Sequence, residues 1–176
     1  MHIRTATSLD RDHILETHLS AFPENEKVVV SKLAVHLLDE KTSPQTISLV
    51  AEINKSVIAH IAFSPVIINS NKELKGYILA PLAVKPDHQK QQIGSRLIKS
   101  GIEILFKNGV NIVFVYGDPK YYRRFGFRTD IAENFIPQYK LQYPFGWQAV
   151  ILNQFSIDNS PRKIICVASL NNQKLW

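Results

Sequence analysis

A single α/β domain built around a mixed sheet is predicted by three observations. The chain has 176 residues, enough for one full hydrophobic core and short for two domains. Its hydrophobic periodicity reads as strand, two helices, three strands, helix, strand, helix and further strands. Helices alternate with strands only around the fourth and fifth strands, which makes those two parallel neighbours joined by a crossover helix.

The elements follow in order. Residues 3–6 read as a short strand. Ser8 is placed to cap a helix over residues 9–20, with Leu9, Ile14, Leu15, His18 and Leu19 as its apolar stripe. Phe22-Pro23 interrupts it. A second helix is expected over residues 25–40, with Val28, Val29, Leu33, Val35, Leu37 and Leu38 toward the core. Glu24 and Glu26 stand near the positive end of its dipole, where they either favour the helix start or attract a cation. From Ile47 the pattern becomes β. ISLVAEIN and VIAHIAFSPVIIN are rich in β-branched residues, with a hairpin at Lys55-Ser56. The near-continuous apolarity of the second run suits a strand covered on both faces. A polar turn, SNKELKG, leads to a strand over residues 77–84. The next helix runs to about residue 108, burying Ile93, Leu97, Ile98, Gly101 and Leu105, with Asn108-Gly109 as its stop. VNIVFVYG is a strand, Asp118-Pro119 an N-cap with proline at N1, and QAVILNQF and RKIICVAS are further β structure.

Composition narrows the function. Hydrophobic residues make up 45% and charged residues 20%, an ordinary globular balance. Neither an apolar leader region nor a membrane-length apolar run is present, so a soluble cytoplasmic protein is expected. The lone Cys166 excludes a disulfide framework and suits a packed core thiol. The net charge is +6, and residues 85–128 carry nine Lys and Arg against three acidic residues, so the whole excess lies there. Such a field suits a polyanionic partner or a phosphorylated cofactor, or else a solvated surface. Six histidines form neither HExxH nor a Cys/His cluster, so no metal is expected, and no G-x-S-x-G elbow is present.

The chemistry concentrates in PLAVKPDHQKQQIGSRLI, residues 81–98. Strand, short loop and helix place free N–H groups and a dipole's positive end together, which suits an anion as well as an ordinary βα turn. It is neither a P-loop nor the GxGxxG fingerprint. Gln89 and Gly94 match the ends of [R/Q]-x-x-G-x-[G/A], so the loop resembles the coenzyme A loop of the GNAT superfamily of N-acetyltransferases. The opening Ile3-Arg4-Thr5-Ala6-Thr7-Ser8-Leu9-Asp10, residues 49–66, and Gly117-Asp118-Pro119-Lys120-Tyr121-Tyr122-Arg123-Arg124-Phe125-Gly126-Phe127 also resemble that family, most of all its bacterial group with GDPxYYxRFGF. The likeness covers residues 1 to about 130 and is weak over the β-rich 131–176.

The resemblance implies a GNAT-type single domain over residues 1–176. Its mixed, mostly antiparallel sheet would be flanked by helices and splayed between the fourth and fifth strands around acetyl-CoA. Backbone groups of Leu82, Ala83 and Val84 would pair with the pantetheine arm. The N–H groups of Gln89, Lys90, Gln91, Gln92, Ile93, Gly94 and Ser95 would hold the pyrophosphate, with Asp118, Tyr122 and Phe125 alongside. Gln92 departs from the pattern, standing where the family carries glycine. Tyr122, four residues before Gly126, matches the tyrosine that protonates the departing thiolate, or else packs against the cofactor. Glu52 and His60 are the candidate bases, and His60 equally suits a satisfied core histidine. The implied activity is acetyl transfer to a primary amine by direct attack in a ternary complex. A non-catalytic acyl-CoA-binding module of the same fold is the alternative. Neither nucleic acid nor membrane is an expected partner, and a monomer or homodimer is expected.

Overall fold

The computed structural model describes residues 1–69, 73–156 and 160–176; Ser70, Asn71 and Lys72 of the expected polar turn lie outside the described residues. The sheet runs β1 (His2–Thr5), β2 (Ile47–Ile53), β3 (Ser56–Ile68), β4 (Gly76–Val84), β5 (Ile112–Tyr116) and β7 (Trp147–Ile151). Neighbours in this order are antiparallel except β4 and β5, which are parallel as the sequence predicts. β8 (Arg162–Cys166) pairs with the far end of β3 and with the two-residue β6 (Phe135–Ile136).

Helices cover both faces. α1 (Arg11–Ala21) and α2 (Lys27–Asp39) lie on one face, where Leu33 and Leu37 of α2 join Ala62, Ile78, Ile112 and Phe114. α3 (Ile93–Lys107) lies on the other, where Leu97, Ile98 and Leu105 meet Leu49, Ile61, Phe63 and Val113. This two-sided cover is why β3 is apolar almost throughout. The five residues expected on the inner side of α3 are all buried. Leu97, Ile98 and Leu105 are each fully buried, and each contributes about 1.5–3 kcal/mol. Gly101 lets α3 settle onto the Phe63 ring, which a Cβ there would meet at 2.1 Å. Cys166 is a buried core thiol, pushed up to about 12 by that burial.

Three local expectations need correction. The first helix begins from Thr7 rather than Ser8: the Asp10 carboxylate accepts from the Thr7 N–H at 2.8 Å and hydroxyl at 3.1 Å, and a 3-10 turn over Ser8–Asp10 leads into α1. Leu9, Leu19 and Val28 are exposed, while Thr17, Ser31 and Ala34 are buried instead. The β2–β3 hairpin turns at Asn54 and Lys55, with φ of 50° and 65°, so Ile53 pairs with Ser56. Two consecutive left-handed residues give the twist a two-residue hairpin requires. No described helix is long and apolar enough to cross a membrane.

Candidate functional site

The two parallel strands separate abruptly. β4 pairs with β5 from Gly76–Ile112 to Leu79–Val115 and no further. After an irregularity in the register at Ala80 and Pro81, residues 82–84 continue on β3 alone, with Leu82 opposite Ile61, Ala83 opposite His60 and Val84 opposite Ala59. One edge of this stretch is therefore paired and the other is open toward the fork, a template for an extended ligand.

The loop after β4 is tied down by its own amides. A 3-10 turn over Pro86–His88 follows Val84, the Gln89 side chain donates to the Val84 carbonyl at 3.1 Å, and the Gln91 side chain donates to the Asp87 carbonyl at 3.2 Å. Lys90 and Gln92 then take φ of 60° and 61°. The first helical bond of α3 runs from Arg96 N–H to the Gln92 carbonyl, so the amides of Ile93, Gly94 and Ser95 precede it without helical partners. A dipole and three open amides thus face one place.

That place is a cleft of about 440 Å³ lined by Leu82, Val84, Gln89, Lys90, Gln92, Ile93, Gly94 and Ser95, together with His88, Tyr121 and Arg124. The first eight are residues the sequence marked; the last three it did not. Arg124 stands three residues after Tyr121, in the 3-10 turn that follows Tyr122, and it joins the cleft wall through the packing that brings Tyr121 there.

Five marked residues do not line the cleft. Ala83 shares the face of its partner His60, toward α1, and offers the cleft only backbone. Gln91 is turned to Asp87. Asp118 caps α4 (Pro119–Tyr122), accepting from the Lys120 N–H at 2.9 Å. Phe125 packs against Tyr121, ring centroids 5.7 Å apart. Tyr122 folds over Gly117, where a Cβ would meet its ring at 2.5 Å, and against Phe127. Gly117 directly follows β5, so the Tyr122 ring sits by the fork of the sheet. Burial, followed by the neighbouring Tyr121 and Asp118, raises its hydroxyl well above the ordinary tyrosine value.

The glycine positions of this loop acquire distinct reasons. A Cβ at Gly94 would lie 2.8 Å from the Tyr121 hydroxyl, so the missing side chain admits Tyr121. Gln92 occupies the left-handed region, where a side chain costs about 1–2 kcal/mol and glycine costs nothing. Gln92→Gly is therefore expected to stabilise the fold by about 0.5–1 kcal/mol, strain relieved less the added unfolded-state entropy. A urea midpoint that stays put or falls would show that the Gln92 side chain contributes more than its strain costs.

The two candidate bases lie elsewhere. Glu52 stands beside the β2–β3 turn and accepts from the Arg4 Nε at 3.0 Å. The same Arg4 grips Asp10 through two 2.8 Å bonds, which hold that carboxyl down to about 2 against its partial burial. His60 is fully buried on the α1 side of the sheet. Its Nε2 meets the Ser48 hydroxyl at 2.9 Å and its Nδ1 meets His18 Nε2 at 2.9 Å. His18 Nδ1 has no partner among the described residues. A buried N–H without an acceptor costs more than a bare lone pair, so the His18 proton belongs on Nε2, donating to His60, whose own proton goes to Ser48. Both nitrogens of His60 are thus engaged, and the core-histidine alternative describes this geometry better than the base does.

A further hollow of about 780 Å³ opens among α5 (Thr129–Ala132), residues 135–141, Pro144 and Trp147, with an apolar floor at Phe135 and Trp147.

Comparison with known proteins agrees with this architecture. The family model for the acetyltransferase (GNAT) domain matches residues 2–129. An uncharacterized N-acetyltransferase of Escherichia coli K12, YjhQ, is 33% identical over 137 residues, covering 77% of this chain and 73% of its own. Among solved structures, a GNAT family acetyltransferase from Brucella melitensis in complex with acetyl-CoA is 28% identical, with a TM-score of 0.70 and 97% of each chain covered. The E. coli GNAT family N-acetyltransferase YhbS, solved with CoA, shares the fold at 24% identity and a TM-score of 0.83, covering 97% of this chain and 92% of its own. The chain belongs to the GNAT acetyltransferase family.

Proposed function

We propose that this protein transfers an acetyl group from acetyl-CoA to a primary amine within a ternary complex. The observation that carries the reading is the continuity of the open β4 edge, residues 80–84, with the unpartnered amides at the start of α3. An extended amide-bearing arm suits the first and a pyrophosphate the second. Relatives crystallised with CoA and acetyl-CoA support it. The basic excess of residues 85–128 adds a favourable field.

Acetyl-CoA supplies the activated thioester. The chain's own contribution is orientation: the β4 backbone aligns the arm, the amides of Ile93, Gly94 and Ser95 anchor its phosphates, and the carbonyl carbon is presented at the fork for attack by the amine. Tyr122, packed at the fork beside Gly117, donates its proton to the sulfur as the carbon–sulfur bond breaks. Its raised pKa keeps the hydroxyl protonated through the neutral range. Glu52 and His60 are read as structural, because Arg4 holds the first and Ser48 with His18 encloses the second. The amine enters in its neutral form, and the proton that its nitrogen sheds on forming the amide returns to the Tyr122 oxygen, so the exchange closes without a further base.

Calorimetric titration with acetyl-CoA, followed by thiol-release assays over a panel of amines, tests the reading. Saturable binding and thiol release with at least one amine class are expected. Absence of binding at millimolar acetyl-CoA would sink it, and binding without turnover across a broad panel would leave an acyl-CoA-binding module of the same fold.

A further inference from the structure

The hollow between α5 and β7, about 780 Å³, has the size of a small-molecule site. Ile136, Pro137, Tyr139, Leu141 and Pro144 wall it above the Phe135 and Trp147 floor. Exposed apolar side chains gather at its rim: Ile136 lines it, and Tyr143 and Phe145 flank Pro144 with their ring centroids 5.8 Å apart. Apolar surface collected in this way marks a binding site. Its charges cancel. Asp130 is answered by Arg128, and Glu133 and Lys140 supply one charge of each sign, so the hollow is neutral in a chain of net charge +6. A polycation needs several unpaired carboxylates opposite it, and an apolar body needs none.

The hollow also adjoins the fork. Trp147 pairs with Tyr116, the last residue of β5. The Tyr143 N–H donates to the Tyr116 hydroxyl at 2.8 Å, and the Gly117 N–H donates to the Gly146 carbonyl at 3.0 Å. Phe135 and Trp147 belong to the α1–α2 face, whereas Leu82, Val84 and Tyr121 of the cleft pack on the α3 face. Hollow and cleft are thus on opposite faces, and direct attack requires a nucleophile to arrive from the side that the cofactor leaves open. The family match ends at residue 129 and the hollow is lined from 129 to 147, so its shape belongs to this chain rather than to the shared fold.

We propose that this hollow holds the acceptor and selects a primary amine with an apolar body, an aryl-alkyl or medium-chain alkyl amine, over polyamines and lysine side chains. This rests on the proposed acetyl transfer and leaves its bond changes as they stand: the nitrogen–carbon bond forms, the carbon–sulfur bond breaks, and Tyr122 passes the proton. The body of the amine lies on Ile136, Leu141 and Pro144, and its nitrogen points past Tyr116 to the fork.

The test is steady-state thiol release by the full chain with phenethylamine, hexylamine, spermidine and a lysine-containing peptide. Phenethylamine and hexylamine are expected to show kcat/KM about tenfold or more above the other two. Ile136→Ser and Leu141→Gln remove apolar wall without adding charge, and each should lower kcat/KM for phenethylamine about tenfold. The loss should fall on KM, with acetyl-CoA affinity by calorimetry close to the parent's. Ile165→Ser alters an exposed apolar residue outside the hollow and should behave as the parent. Inhibition of the parent by 2-phenylethanol, the hydroxyl analogue, should be competitive against phenethylamine, a readout that stands even where a variant fails to fold. Preference for spermidine or the peptide, both wall variants within about twofold of the parent, or non-competitive inhibition would overturn the inference while leaving acetyl transfer intact. Acetyl-CoA binding without thiol release from phenethylamine or hexylamine would overturn it too. Failure of the parent protein to bind acetyl-CoA would overturn both readings.

Discussion

Tyr122→Phe is expected to lower turnover about 100-fold while changing acetyl-CoA affinity little. The substitution removes one oxygen and keeps the ring that packs over Gly117 and against Phe127, so the fork should retain its shape. Under the proposed mechanism the lost hydroxyl is the proton donor for the leaving thiolate, and general acid catalysis is worth roughly two to four orders of magnitude. Because burial raises the Tyr122 hydroxyl above its usual range, the parent enzyme should show no activity loss from Tyr122 ionisation at mildly alkaline pH. Steady-state kinetics beside calorimetry separates the outcomes. A turnover number within a few-fold of the parent would remove Tyr122 from proton transfer and leave it as packing. A large loss of affinity with unchanged turnover would place its hydroxyl on the cofactor instead.

The second large effect concerns stability rather than rate. Lowering the pH from 7 to 5 should destabilise the fold by about 2 kcal/mol through His60, with His18 adding in the same direction. Burial pushes both imidazoles down, His60 to about 3 and His18 well below its ordinary value, where the neighbouring His60 adds to the effect. Below pH 6.5 the histidines of the unfolded chain take up protons that the folded protein resists, so stability falls as pH falls, by about 1.4 kcal/mol per unit for His60. For His60 the decline continues toward pH 3. Asp10 titrates outside this interval, since its partners hold it down to about 2. The groups around the pair are the Ser48 hydroxyl, the Phe22 ring and the Asp10 carboxylate, whose negative charge opposes the effect of burial on His60 without outweighing it. Urea unfolding at pH 7, 6 and 5 measures the slope. His60→Asn should lose stability at pH 7, because the Ser48 and His18 bonds are broken, yet its dependence on pH should shrink by about half. A variant whose slope matches the parent would show that the acid sensitivity originates elsewhere.

Much of this protein is legible in its amino-acid order. The α3 register, the parallel β4–β5 pair and the loop from Gln89 to Ser95 follow from local rules, since a helix repeats at 3.6 residues and a strand at two. A βα turn places its amides at the helix start whatever the rest of the chain does. Cap and turn positions are less secure: Thr7 and Ser8 are both competent helix starters, and only the reach of the Asp10 carboxylate separates them. Asn54, Lys55 and Ser56 are likewise close rivals for a turn, decided by the register that pairs Ile53 with Ser56.

The site divides along the same line. By itself the sequence determined that an anion-ready helix start follows an apolar strand, that Gln92 departs from the family's glycine, and that two adjacent tyrosines point different ways. It marked Tyr122 for the cofactor, whereas Tyr121 is the tyrosine that lines the cleft. Tertiary packing settled that, because the space left by Gly94 admits the Tyr121 hydroxyl and the space at Gly117 admits the Tyr122 ring. The fate of His60 was also decided there. Its partners Ser48 and His18 are twelve and forty-two residues away, and a contact across such separations leaves no periodic trace in the chain. Whether a buried histidine can serve as a base depends on which groups surround its two nitrogens, and those groups are assembled only when the helices close over the sheet.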